Sequence, residues 1–149
     1  MNRRIRLCVV FIALNLTFIW GNSLLPGELS KALSDWLGSL LNVGQALPAN
    51  GAGTGLLRKI AHFTEFGSLG FLLARLAWLK GERGFHLITP ALLGGLLAAC
   101  IDESIQLLTP ARGPSLVDVW IDTFGVVTGV AALFVIIKTK NMIPGGNKQ

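Results

Sequence analysis

Phe85 to Leu108 reads FHLITPALLGGLLAACIDESIQLL, and this stretch decides the class of the chain. From Phe85 to Ile101 it contains no Asp, Glu, Lys or Arg. An apolar helix of about 20 residues crosses the hydrocarbon core of a bilayer, so a run of this kind is a membrane span on its own. Outward from it lie three more runs: Leu7 to Leu25 (LCVVFIALNLTFIWGNSLL), Ile60 to Leu79 (IAHFTEFGSLGFLLARLAWL) and Leu116 to Ile137. The run from Leu7 is as plainly apolar as the first. The runs from Ile60 and Leu116 carry ionisable residues that need an explanation. Whole-chain composition agrees, with 14% charged and 52% hydrophobic residues in 149, against about 25% charged in a soluble domain. The expected fold is all-α: one membrane domain over residues 1–149, with four transmembrane helices at about 7–25, 60–79, 85–108 and 116–137.

Arg3, Arg4 and Arg6 ahead of the first run resemble the basic region of a signal peptide. No A-x-A site follows, and the run exceeds the roughly 7–15 residues of such a segment, so a retained anchor is expected. The net charge of +5 sorts by membrane side and does not point to nucleic acid. With the N-terminus inside, nine of the thirteen Lys and Arg fall on the inner side, and Lys31, Arg58, Lys59 and Arg112 remain outside. Of the eight acids only Glu82 is inner. The positive-inside rule therefore places both termini in the cytoplasm.

On the outer side, Pro26 onward has a helical period, with Leu29, Leu33, Trp36, Leu37, Leu40 and Leu41 on one face. It reads either as a short amphipathic helix in the interface plane or as one packed on the bundle. Asn42 to Gly55, rich in glycine, is expected to be a flexible loop above the site. Cys8 and Cys100 are expected at different depths and unbonded. Gly67 and Gly70, Gly94 and Gly95, and Gly125 and Gly129 provide small surfaces for close helix packing.

Three polar clusters interrupt the spans. Lys59, His62 and Glu65 repeat every three residues over an arc of about 120°. Asp102, Glu103 and Gln106 occupy about 100°. Asp118 and Asp122 stack four apart, with Arg112 and Ser115 approaching from the preceding turn. At 1.5 Å per residue, Glu65 lies about 8 Å and Asp102 and Asp122 about 9 Å below the outer end of their spans. Three helices thus bring carboxylates to one level. A charge at the centre of a span costs about 2.5–3.5 kcal/mol, so these groups face inward. Lys59 and Arg112 set against Glu65, Asp102, Glu103, Asp118 and Asp122 leave three carboxylates over. Protonation, a cation or a ligand donor must balance them.

Lys59-Ile-Ala-His62-Phe-Thr-Glu65-Phe66, Asp102-Glu103-Ser-Ile-Gln106 and Arg112-Gly-Pro-Ser-Leu-Val-Asp118 resemble the three motif blocks of the VanZ-like family, over Arg58 to about Gly129. Trp20-Gly-Asn-Ser is weakly similar as well. One position departs from the pattern: the family usually has Asn where this chain has Asp122. The resemblance implies a multi-pass membrane protein, in a family named for a member linked to low-level resistance to teicoplanin.

The expected function is an outer-leaflet polar pocket that binds or modifies a membrane lipid, a headgroup or a lipid-linked cell-wall intermediate. Lys59, His62, Glu65, Asp102, Glu103, Gln106, Arg112, Ser115, Asp118 and Asp122 are its candidate ligand contacts. The alternative is a hydrolase acting on a lipid-linked phosphate. His62, Glu65, Asp102 and Glu103 would be its catalytic candidates, with a divalent cation held by Asp102, Glu103, Asp118 and Asp122. No clear nucleophile is present, and a cofactor is not otherwise expected. A cation- or proton-coupled transporter is the third reading. It would need a homodimer, and a cluster near one face fits it poorly.

Overall fold

The computed structural model describes residues 2–40, 52–110, 112–113 and 115–142. Five helices account for most of them: α1 (Arg3–Ser23), α2 (Gly27–Leu40), α3 (Ala52–Leu79), α4 (Phe85–Leu107) and α5 (Leu116–Met142), with no strand among the described residues. α1, α4 and Leu116–Thr139 of α5 are long and apolar enough to cross a membrane. α3 is not among these three, because polar and charged side chains from Arg58 to Arg75 dilute its apolar surface. Its 28 residues nonetheless extend about 42 Å, more than the thickness of a hydrocarbon core of about 30 Å.

α3 begins eight residues before Ile60, so the expected loop ends sooner than Gly55. Hydropathy marks where a chain is apolar, whereas a helix continues for as long as its backbone bonds do. Arg58 and Lys59 end the apolar run without ending the helix. Most of the expected loop, Asn42 to Gly51, lies outside the described residues.

The core combines Ile19 of α1, Phe66 and Leu69 of α3, Leu87, Ala91, Ala98 and Ala99 of α4, and Val126, Val130 and Leu133 of α5. α3 and α5 make the closest pair, through the glycines expected to pack. A Cβ on Gly125 would overlap the Phe63 carbonyl oxygen, one on Gly129 the Gly67 oxygen, and one on Gly70 the Val126 oxygen. Backbone meets backbone along this seam, which only glycine permits. Gly95 of α4 admits the Val126 side chain, where a Cβ would come within 2.5 Å of its Cγ2.

α2 turns Ser30 and Gly38 inward and leaves Leu29, Leu33, Trp36 and Leu40 exposed. A Cβ on Gly38 would sit 3.1 Å from the Leu57 side chain of α3, so the small-residue edge makes the packing contact. An apolar face left open suits a lipid neighbour better than water. The exposed surfaces of α1 and α5 are likewise apolar, with Leu7, Val10 and Phe11 on one and Trp120, Phe124 and Val135 on the other. Cys8 is buried, Cys100 exposed, and both are free.

Candidate functional site

Helical phase brings the polar residues together. Arg58, His62 and Glu65 stand at i, i+4 and i+7 on α3, within an arc of about 60°. Asp102 and Gln106 are four apart on α4, and Asp118 and Asp122 four apart on α5. The glycine seam one turn below Asp122 draws α3 and α5 close enough for these faces to meet. His62 Nδ1 lies 3.8 Å from Asp102 Oδ2 and 3.7 Å from Asp122 Oδ1. One donor atom from each of the three residues falls within 4.8 Å of the others, and all three residues are buried. The His62 ring is stacked on Phe66, with centroids 6.5 Å apart and planes 14° from parallel, which fixes its orientation.

A relay of hydrogen bonds holds Asp102. Arg58 Nη2 donates to Gln106 Oε1 at 2.7 Å, and Gln106 Nε2 donates to Asp102 Oδ2 at 2.8 Å. Gln106 is fully buried and also reaches the Ser23 hydroxyl at 3.4 Å. The half-buried cation that engages this relay is therefore Arg58. Lys59, the expected one, is exposed and lines a small cavity with Arg58, His62, Asp118 and Asp122. Arg58 is legible in the sequence through its i+4 relation to His62, a closer alignment than Lys59 has.

Glu103 takes a separate direction. Its Oε2 accepts the Ser115 N–H at 2.7 Å, tying α4 to the turn that starts α5. The Ser115 hydroxyl accepts from the Asp118 N–H at 3.3 Å, so it caps α5. Arg112 lies half-buried in the same turn, and its Nε and Nη1 have no hydrogen-bond partner among the described residues. Burial first, and the charge of Arg58 second, pull its pKa below the ordinary arginine value.

α1 contributes residues that the motif blocks omit. Asn22 Nδ2 donates to Glu65 Oε1 at 3.3 Å, Thr109 Oγ1 donates to the Ser23 carbonyl at 3.1 Å, and Trp20 Nε1 to the Ala98 carbonyl at 3.4 Å. The signal for Asn22 and Ser23 was their polarity at the end of an otherwise apolar run. Glu65 Oε2, Asp102 Oδ1, Glu103 Oε1 and both Asp122 oxygens are buried without a partner among the described residues. No Lys or Arg is ion-paired with a carboxylate among those residues.

Two openings meet at this cluster. The smaller, about 110 Å³, lies between α3 and α5 and is lined by Lys59, His62, Asp118, Ile121 and Asp122. The larger is a groove of about 730 Å³ between α1, α2 and α3. Leu14, Phe18, Leu33 and Leu37 give it most of its apolar lining, and Asn22, Arg58, His62 and Glu65 its main polar groups. Arg58 and His62 line both.

The VanZ/LLP1 family profile matches residues 5–138, so the chain belongs to the VanZ/LLP1 family. No curated protein and no solved structure matches it.

Proposed function

Taking a VanZ/LLP1 chain as the premise, we propose that it crosses the bacterial cytoplasmic membrane four times, with both termini in the cytoplasm, and binds the headgroup of a cell-envelope lipid. In this reading α3 is the fourth span, its polar face turned inward against α4 and α5. The ligand is an anionic membrane lipid or a lipid-linked cell-wall intermediate. Its role in the envelope connects to glycopeptide resistance through the family. The single observation that carries the reading is the groove between α1, α2 and α3, whose mostly apolar lining also includes Asn22, Arg58, His62 and Glu65. Its volume falls within the roughly 300–1,000 Å³ of small-molecule sites.

An acyl chain lies along Leu14, Phe18, Leu33 and Leu37, where it exchanges lipid for protein at little cost. The headgroup meets Asn22, Arg58, His62 and Glu65. Arg58 offers a planar donor fork that suits phosphate or carboxylate. Arg112 has donor atoms unengaged by protein among the described residues and supplies a second cation near the outer face. The candidate set from the sequence, with Arg58 and Asn22 added, is therefore a recognition surface.

Native mass spectrometry of the detergent-purified full chain tests this. An anionic lipid is expected to copurify, and Arg58→Gln should reduce its occupancy at least fivefold while lowering the melting temperature somewhat, since buried Gln106 Oε1 loses its donor. Phe18→Trp, which narrows the groove away from the charges, should also reduce it. Equal lipid occupancy in all three proteins would refute the proposal.

A further inference from the structure

His62 is an unusual neighbour for two buried carboxylates. An imidazolium paired with them would draw in to hydrogen-bond distance, about 2.7–3.2 Å. Instead its Nδ1 stands 3.8 and 3.7 Å from Asp102 Oδ2 and Asp122 Oδ1, and has no hydrogen-bond partner among the described residues. His62 is 6% exposed, and Asp102 and Asp122 are both 0% exposed. Asp122 has neither oxygen engaged among the described residues. Protonating it would let one oxygen donate to His62 Nδ1, but the other oxygen would stay without a partner among the described residues.

A common ion accounts for the spacing. Ligand atoms about 2.1 Å from a tetrahedral centre stand about 3.4 Å from one another. The two separations from His62 exceed that by a few tenths of an ångström and all three donor atoms lie within 4.8 Å of one another, so side-chain rotations bring them onto a common centre. We propose that His62, Asp102 and Asp122 bind one divalent first-row metal ion of the zinc class. Imidazole in the donor set favours such ions over magnesium and calcium, which take oxygen ligands. One dipositive ion also balances two buried carboxylates, which the neutral Gln106 contact does not.

The surroundings have the character of a supporting shell. Gln106 donates to Asp102 and is itself held by Arg58, so the carboxylate is oriented before a metal arrives. Phe66 fixes the imidazole plane. Three protein ligands leave a coordination position open. The cavity of about 110 Å³ that borders His62 and Asp122 leads to it, past Lys59 and Asp118. This differs from the all-carboxylate set expected from the sequence: Glu103 is turned to Ser115, and His62 takes its place. The metal site shares His62 with the lipid reading, but neither requires the other.

The test uses the full chain in detergent, with any affinity tag removed and with metal stripped by a chelator, titrated with Zn²⁺ alone. One zinc per chain is expected by elemental analysis after desalting, with a rise in melting temperature. Asp122→Asn and His62→Asn should each weaken binding at least tenfold, while Glu103→Gln should leave it intact. Zinc below about 0.2 per chain, or equal binding by Asp122→Asn and the parent, would overturn the site. Should those variants fail to fold, X-ray absorption at the zinc edge of the parent decides. One imidazole nitrogen among oxygen ligands supports the site. Sulfur ligation, or two imidazoles drawn from His62 and His86, overturns it.

Discussion

Replacing Gly129 with alanine is expected to destabilise the bundle, although alanine is the better helix former. In an open helix interior the change gains about 1 kcal/mol. Here the added Cβ would stand 2.7 Å from Phe71 N and 2.9 Å from the Gly67 carbonyl carbon, and would overlap the Gly67 oxygen. All of these are backbone atoms, so no side-chain rotation makes room. Carbon contacts are favourable at about 3.5–4.0 Å, and α3 and α5 must therefore part by roughly 1 Å at this level. Overpacking of this kind costs about 1–3 kcal/mol. Separation also weakens dispersion along the seam, since a gap of about 0.5–1 Å forfeits a quarter to a half of each contact. Net of the propensity gain, a loss of about 0–2 kcal/mol is expected, larger by whatever dispersion the seam forfeits. Gly21→Ala is the matched control, because nothing lies within 4 Å of its added carbon. It should range from neutral to about 1 kcal/mol more stable. Equilibrium unfolding in mixed micelles, followed by far-ultraviolet circular dichroism, measures both. A Gly129→Ala protein as stable as Gly21→Ala would refute the seam.

Two further outcomes are expected. Glu103→Ala should lower stability by about 1.5–3 kcal/mol, the range for a hydrogen bond to a charged group. Glu103→Gln keeps an acceptor for the Ser115 N–H and should lose clearly less in the same unfolding assay; equal losses would contradict the contact. In a background with both native cysteines replaced, Lys31→Cys should react with an impermeant thiol reagent in intact cells and Gly81→Cys should not. The reverse pattern would overturn the orientation.

How much was legible follows from what each signal measures. Apolar runs located α1, α4 and α5 to within a few residues at most ends, because helix and hydrocarbon depth coincide there. They misplaced the start of α3, where Arg58 and Lys59 extend a helix beyond its apolar part. The common depth of Glu65, Asp102 and Asp122 anticipated a cluster, and two of these three carboxylates do converge on His62. Depth carries no information on azimuth, however, and azimuth separates Arg58 from Lys59 and turns Glu103 toward Ser115. The contributions of Asn22 and Ser23 were harder still to read. Their partners are 43 and 83–86 residues away, and only tertiary packing brings them near.

The glycine seam also divides the molecule into a stiff half and a compliant one. α3 and α5 meet backbone to backbone, so no rotamer is available to absorb a displacement, and the pair translates as a single beam. α1 is attached by side-chain contacts, among them Asn15 to Ser68 at 2.6 Å and Asn22 to Glu65 at 3.3 Å, which can break and re-form as the helix rolls. α2 rests on α3 through a narrow edge of small residues. Widening of the groove is therefore borne by α1 and α2, while the faces bearing His62 and Asp122 keep their spacing. On the lipid-binding reading proposed above, the width of the groove and the spacing of the His62 and Asp122 faces would rest on different helices, so one could drift under mutation without detuning the other.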